Sequence, residues 1–332
     1  MSHTKLLLKL VDACRHIAAS LSSDDVVRAT VHAVEHLFGT ERSTLFLMRE
    51  GEEARPFPLH GDTGGATPVP LRSLPPDEEA EALLASAARA RRQTLMDAEV
   101  ARLLWRAPSA APVVCHPVWS HETPLGVLAI QKDVDQPWDE RQLHAVGLLA
   151  EQIAVSLQNA RAFARVYHDS ITDPLTGLYN RRYFLNTFER ELARAQRQPT
   201  HFSIALADID DFKLINDEYG HIQGDIVLQS LGSALRHGAR KGDVIARYGG
   251  EEFILLLQEA THTQAKRIIE RLRHATQPIV QARGVPTFTF SVGIASYPRD
   301  GRSLSALLLA ADRALYVAKN HKGRTMTAQE TS

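Results

Sequence analysis

The chain has 332 residues, enough for about two domains with separate buried cores. Thirty-eight Lys and Arg stand against 39 Asp and Glu, a formal charge of −1, with 44 % hydrophobic and 23 % charged residues. That balance excludes the basic excess of a dedicated nucleic-acid binder, and two cysteines, Cys14 and Cys115, exclude a disulfide scaffold and fit a reducing compartment.

The opening segment MSHTKLLLKLVDACRHIAASL has an apolar run broken by Lys9, Asp12, Arg15 and His16. It is too short and polar for a signal peptide or a span, and no later run reaches about 18 uninterrupted apolar residues, so a cytoplasmic protein is expected. Leu7, Leu10, Val11, Cys14, Ile17, Ala18 and Leu21 recur at helical spacing and predict a helix over 6–21. A second helix is expected at 23–38, capped by Ser23 or Asp24 and stopped by Gly39. Residues 43–48 (STLFLM) read as a strand, the Gly- and Pro-rich stretch 56–76 as loop or short edge structure, and 78–92 as a solvated helix. APVVCHPVW and PLGVLAIQK predict a hairpin that breaks around Ser120–Thr123.

From Asp139 one long helix is expected. Counted from Leu143, its a positions are Leu143, Ala150, Leu157, Ala164 and Ile171, and its d positions are Val146, Ile153, Ala160 and Tyr167. Such a seam predicts a parallel two-helix stalk; the alternative is a single helix packed on its own domain. Beyond Thr172 the expected order is helix 182–197, strand 202–208, helix 212–219, helix 225–240, a strand–turn–strand over 244–257, helix 261–275, strand 287–295 and helix 303–320. This interleaving predicts an α+β, palm-like domain around a mostly antiparallel sheet, with no internal repeat.

Two segments of that domain carry chemistry. The apolar run SIALA ends in Asp208, a carboxylate at the exit of a buried strand, which is costly to desolvate unless it pairs or binds a cation. Its D-x-D spacing is not an EF-hand loop, because Lys213 and Tyr219 stand where Gly and Glu are required. RYGGEEF (247–253) lies between the strand-like runs VIA and FILLL. Gly249 and Gly250 are expected to supply the positive φ of a tight hairpin, with Glu251 and Glu252 projecting from or just after it. On an antiparallel sheet Asp208 and Glu251 would meet near one strand end as an oxygen site suited to Mg²⁺, open to substrate phosphates. Turn glycines beside solvated glutamates are the alternative.

Two other strings read as structural. His32-Ala33-Val34-Glu35-His36 matches H-x-x-E-H, but on an amphipathic helix it is expected to be a chance match. Cys115-His116 lacks the C-x-x-C-H of haem attachment, and Cys115, between Val114 and Pro117, reads as a small buried hydrophobe.

Taken in order, DPLTGLYNRR (173–182), DIDDFKLINDEYGHIQGD (208–225), RYGGEEF, FSVGIASYPRDG (290–301) and ADRALYVAKNHKGR (311–324) resemble a GGDEF-family diguanylate cyclase over about 172–326. The resemblance implies that two GTP are joined into cyclic di-GMP with release of two pyrophosphates, one GTP being held by each of two facing domains of a homodimer. The implied cofactor is Mg²⁺, with Mn²⁺ as an alternative. Asp208, the carbonyl of Ile209 and Glu251 would hold the metal, and Asn216 and Asp225 would read the guanine edge with His221 beside the nucleotide. A carboxylate accepts from guanine N1–H and N2–H₂, which adenine does not offer in that arrangement. Lys213, Lys319 and Arg324 would meet phosphate oxygens, and Glu251 or Glu252 would deprotonate the attacking 3′-hydroxyl. The closing motif AKNHKGRT has one residue more than the family's AK-x-x-GRN.

Arg240, nine residues before Gly249, is followed three later by Asp243. This R-x-x-D resembles the family's inhibitory product site, with Arg271 as a second contact from an adjacent domain. A helix-end Arg and a turn Asp form the alternative. Residues 6–157 resemble a GAF sensor module, chiefly in PLGVLAIQK and a helix ending in LQNARAF. QKDVDQPWDE departs from the NK…F…DE pattern of cyclic-nucleotide-binding GAF domains at Gln131, at Trp138 and in its spacing to Asp139, so the input is left as an unknown small molecule or protein. The expected domains are 1–157 (sensor), 139–171 (an overlapping stalk), 172–326 (cyclase) and 327–332 (tail), with regulation by the sensor and by product. The competing functions are a non-catalytic cyclic di-GMP receptor and a cyclase making a single-nucleotide ring. Intact Asp208, Asn216, Asp225 and Gly249–Glu252 argue against the first; the guanine-reading pair and the R-x-x-D argue against the second.

Overall fold

The computed structural model describes residues 3–40, 42–48, 56–59, 78–105, 111–198, 200–240, 242–283 and 286–331. The chain divides into two compact units, Met1–Val166 and Tyr167–Ser332.

The first unit opens with α1 (His3–Ala18) and α2 (Ser23–Phe38). The cap of α2 is Ser22, one residue earlier than expected: its hydroxyl accepts from the Asp25 amide at 3.1 Å. Gly39, at φ 68°, stops the helix as expected. The elements β1 (Arg42–Met48), β2 (Pro56–Leu59), α3 (Glu78–Arg89), β3 (Thr94–Met96), α4 (Ala98–Trp105), β4 (Val113–Ser120) and β5 (Thr123–Gln131) follow. The first four residues of the 56–76 loop are thus an edge strand; the rest of that loop lies outside the described residues. Periodicity did not reveal β3 and α4, which are too short to carry it.

The sheet runs β2-β1-β5-β4-β3 with every pairing antiparallel. From Val127 the β5 side chains alternate, Leu128 and Ile130 joining the core under α1 and α2 and Val127 and Ala129 the core under α3 and α4, while Leu125, at the register shift against β4, also joins the first core. Gly126 lets β1 approach: a Cβ there would lie 2.2 Å from the Phe46 carbonyl oxygen. Cys115 is fully buried on the α3–α4 side, its thiol pushed up to about 12 by desolvation. His32 and His36 are exposed and stack their rings at 6.4 Å.

The long helix α5 (Glu140–Ile171) corrects the stalk expectation in part. Val146, Ala150, Ile153, Leu157 and Ala160, five residues of the heptad seam, are buried in the first unit's own core, and Leu143 packs against it. Over that stretch α5 is a single helix packed on its own domain, because its sheet and α1–α2 already cover the seam. Of the remaining seam residues, Ala164 and Tyr167 are exposed and Ile171 is half-buried. The turn from β5 into α5 is held by Lys132, whose ammonium reaches Gln142 Oε1 at 3.0 Å and the Trp138 ring at 5.0 Å. Gln131 is buried and donates to the Ala111 carbonyl at 2.6 Å. The residues that depart from the cyclic-nucleotide pattern are therefore built into the joint.

The second unit contains β6 (Tyr179–Asn180), α6 (Arg181–Arg197), β7 (Phe202–Ile209), α7 (Phe212–Tyr219), α8 (His221–Gly238), β8 (Val244–Arg247), β9 (Glu252–Gln258), α9 (His262–Arg283), β10 (Phe290–Tyr297), α10 (Leu304–Lys319) and β11 (Thr325–Thr327). The sheet order is β11-β10-β7-β9-β8-β6. Its four central strands pair antiparallel, and the short outer strands β11 and β6 pair parallel. The architecture is the α+β layout expected. One face carries α7, α8 and α9 on Ala205, Ala207 and Ile209; the other carries α6 and α10 on Phe202, Ile204 and Leu206. Gly293 sets the closeness of α10, since a Cβ there would lie 2.0 Å from the Ala311 carbonyl oxygen.

Several boundaries differ from expectation, among them the end of α9, at Arg283 rather than 275, and the start of β10, at Phe290 rather than 287. Helix α8 begins at His221 rather than Asp225, because Gly220, at φ 83°, makes the break from α7 in a single residue. Strand β10 ends at Tyr297, two residues later than expected, since Ser296 and Tyr297 still pair with β7. The expected tail instead completes β11 and a 3₁₀ turn, Ala328–Thr331, where Glu330 accepts from the Thr327 amide and pairs with Lys266 at 2.6 Å.

Candidate active site

Strand periodicity places Asp208. It continues the alternation of Phe202, Ile204 and Leu206 on the face that carries α10, and Lys319 at the end of α10 meets it, Nζ to Oδ1 at 2.9 Å. The ammonium thereby pairs with a buried carboxylate. Asp208 lies opposite Glu252 on β9 and Ser291 on β10, and the Ile209 amide donates to the Glu251 carbonyl at 3.4 Å.

Asp208 and Glu251 are brought together as expected. Burial raises the Asp208 carboxyl above its ordinary range, with Lys319 opposing and Asp210 adding to the rise. Glu251 is raised by desolvation first, then by the Asp208 charge, with Lys319 opposing and Glu252 adding. The glycines act otherwise than expected. Neither Gly249 nor Gly250 has positive φ. A Cβ on Gly249 would lie 2.5 Å from Glu252 Oε2, so this glycine makes room for Glu252 to fold back over the turn, while Gly250 faces open space. Arg247 holds the turn, donating to the carbonyls of Gly249 at 3.2 Å and Gly250 at 2.7 Å.

Of the predicted guanine readers, Asn216 is placed against α8. Gly220 folds α7 back on α8, and the Asn216 side chain lies against Gly224, where a Cβ would be 1.9 Å from its Oδ1. Exposed Asp225 follows Gly224 in the chain, and exposed His221 is the first residue of that helix. Lys213 is exposed on α7. Arg324 is exposed, its carbonyl taken by the Val292 amide at 2.9 Å.

Residues without a role in the sequence reading organise this end of the sheet. Buried Asp210 accepts from Ser291 Oγ at 2.7 Å, Thr289 Oγ1 at 2.6 Å and the Gly323 amide at 2.8 Å, tying β7, β10 and the α10–β11 turn together. Asp173 meets Arg247, and Lys322 meets Asp211. The signal for Asp210 was the D-x-D spacing itself, whose second carboxylate is structural. A divalent cation fits this donor set, since two clustered carboxylates suit a hard ion. Among the described residues no three His, Cys, Asp or Glu side chains form a metal-holding group.

The R-x-x-D residues lie together on the second unit. The Arg240 amide donates to Asp243 Oδ2 at 3.2 Å, and Arg271 donates to the Gly238 carbonyl at 2.9 Å. The Asp243 carboxyl is raised by burial, opposed by the Arg240 and Arg271 charges. Arg271, expected from an adjacent domain, also stands near Asp243 of its own chain.

The chain is thus a two-unit protein whose second unit is a mixed sheet bearing a carboxylate–lysine cluster at one strand end. A family model of the GGDEF domain, diguanylate cyclase, matches residues 170–325, and one of the GAF domain matches 22–159. The chain thus carries a GAF domain followed by a GGDEF domain. It is similar to diguanylate cyclase DgcP of Pseudomonas aeruginosa, 36 % identical over 203 residues, 58 % of this chain and 30 % of that protein. It is also similar to diguanylate cyclase DosC of Escherichia coli K12, 37 % identical over 159 residues, 47 % of this chain and 34 % of that protein. The chain spans half or less of the length of these and the other leading curated relatives it matches. Among solved structures, the GGDEF domain of DgcB from Caulobacter crescentus in complex with c-di-GMP is 30 % identical, covering 48 % of this chain and 97 % of that one, with a TM-score of 0.43. Among the described residues no helix is long and apolar enough to cross a membrane.

Proposed function

We propose that this chain is a diguanylate cyclase that condenses two GTP into cyclic di-GMP. The observation that carries the reading is the clustering of Asp208, Glu251 and Lys319 at one strand end; Asn216, packed against Gly224 on α8, supports it. Asp225 and Asn216 hold the guanine edge, His221 lies beside the nucleotide, and Lys213, Lys319 and Arg324 take phosphate oxygens. Asp208, Glu251 and the Ile209 carbonyl hold Mg²⁺, or Mn²⁺, which when bound offsets phosphate charge. Glu251 takes the proton of the 3′-hydroxyl; its raised carboxyl pKa suits a base better than that of an ordinary solvated glutamate. Glu252, folded over Gly249, shapes the turn and adds its charge to Glu251.

The 3′-oxygen bonds to the α-phosphorus of the other GTP while the α–β bridging bond breaks, pyrophosphate leaves with its electron pair, and a second such step closes the ring. Each copy supplies one GTP, so the active species is a homodimer of facing domains. The stalk is confined to the segment beyond Ala160, where Val166 and Tyr167 are exposed. The sensor (1–157), the helical segment (139–171) and the cyclase (172–326) act in the cytoplasm, with an unidentified small molecule or protein as input. Arg240, Asp243 and Arg271 bind the product and restrain the enzyme.

Purified protein incubated with GTP and Mg²⁺ tests this by chromatography of the products. Cyclic di-GMP from wild type and none from Glu251→Ala is the expected result. Cyclic di-GMP binding without synthesis, in wild type at dimerising concentration, would overturn it in favour of a receptor.

A further inference from the structure

The turn between α10 and β11 contains the residue that exceeds AK-x-x-GRN, and a cation in it pairs with the acid two residues beyond Ile209. Lys322, at φ 23°, places Nζ 2.5 Å from Asp211 Oδ2. The next residue, Gly323, at φ 70°, gives its amide to buried Asp210, so the backbone at the root of Lys322 is pinned to the sheet. Asp211 immediately precedes α7, at φ 54°, and its side chain makes no capping bond to the helix. The first turn of α7 contains no acid but does contain exposed Lys213. Asp211 is thus the acid that immediately precedes α7, two residues beyond Ile209, whose carbonyl is proposed to hold the metal. A carboxylate there, left unneutralised, repels a polyanion and competes with it for the positive end of the helix.

We propose that Lys322 is a positioning residue that acts through Asp211, neutralising that carboxylate and drawing it away from the phosphate seat, so that a nucleoside triphosphate binds more tightly. The inference rests on the reading of this site as a guanosine triphosphate site. Both partners are substantially exposed, and a pair of this kind contributes little to folding, so its consequence is for the charged ligand.

Titration calorimetry of the full chain with a non-hydrolysable guanosine triphosphate analogue and Mg²⁺ tests it. Lys322→Ala is expected to raise Kd about fivefold or more at low salt, and less at high salt. Adding Asp211→Asn to Lys322→Ala is expected to return Kd to within about twofold of wild type, as removal of the exposed acid makes its counterion unnecessary. Lys322→Arg is expected to bind as wild type does. Unchanged affinity in Lys322→Ala overturns the inference, and so does a loss that Asp211→Asn fails to rescue, which would place Lys322 directly on phosphate. Wild type that binds no analogue overturns the reading of the site and this inference with it, an outcome distinct from failure of the variants alone.

Discussion

Arg247 on β8 and Asp173 in the turn after α5 are joined across 74 residues of chain, Nη1 lying 3.3 Å from both carboxylate oxygens. Both side chains are largely buried. Asp173 also accepts from the Thr176 amide and hydroxyl at 2.9 and 2.8 Å, while Arg247 holds the Gly249 and Gly250 carbonyls. One ion pair therefore couples the turn at the end of the long helix to the turn that presents Glu251.

Asp173→Asn is expected to lower stability by about 1–3 kcal/mol, because a guanidinium loses its counter-charge in a partly buried place. The melting temperature should fall, and cyclase activity should fall further than stability alone accounts for, since the 249–252 turn loosens. Activity retained in full at a temperature well below the melt would show that the turn needs no such brace.

Asp208 and Glu251 titrate above their ordinary values of 3.8 and 4.5, through burial first. A carboxyl raised in this way binds more protons folded than unfolded, so folding stability falls as pH rises from the ordinary range through the raised values. Divalent cation affinity rises over the same window, because only the ionised carboxylates bind the ion. Thermal melts across that window should show the decline without Mg²⁺, a weaker decline with it, and a shallower one in Asp208→Asn. A slope identical in Asp208→Asn would remove Asp208 as its source.

Gly224→Ala separates folding from binding. Alanine favours the helix by about 1 kcal/mol over glycine, but its Cβ would lie 1.9 Å from Asn216 Oδ1 and 3.0 Å from its Cγ. Asn216 must swing away from the start of α8. A rise of about tenfold in KM for GTP, equivalent to about 1.4 kcal/mol of binding, is expected with no loss in melting temperature. An unchanged KM would take Asn216 off the guanine edge.

Arg240→Ala tests the product site. A guanidinium that forks onto guanine or phosphate is not replaced by water at equal affinity. The concentration of cyclic di-GMP needed for half inhibition should rise at least about tenfold. Inhibition curves that superimpose on wild type would return Arg240 to the role of a helix-end residue.

Motif order carried much of the site. Asp208, Glu251, Asn216, Asp225 and Lys319 stand in contiguous strings whose residue types suit cation and guanine recognition, and each string falls at a strand end or helix start that apolar periodicity marks. What escaped this reading were partners remote in sequence. Asp210 carried no role beyond a D-x-D spacing that failed as an EF-hand, yet hydrogen bonds from residues 79, 81 and 113 positions away make it a buried brace. Gly249 was expected for its φ and is required instead for the space beneath Glu252, which depends on a side chain's fold-back rather than on any local preference.

The long helix divides the two kinds of information most sharply. Its length and its a/d seam follow from residues 140–171 alone, since periodicity is local and survives in a linear string. Whether that seam meets a second copy or its own domain is settled by whichever apolar surface reaches it first. In the fold, α1, α2 and β5 bury Val146 to Ala160, and only the tertiary arrangement decides this, because the competing surfaces lie up to about 150 residues away in the chain.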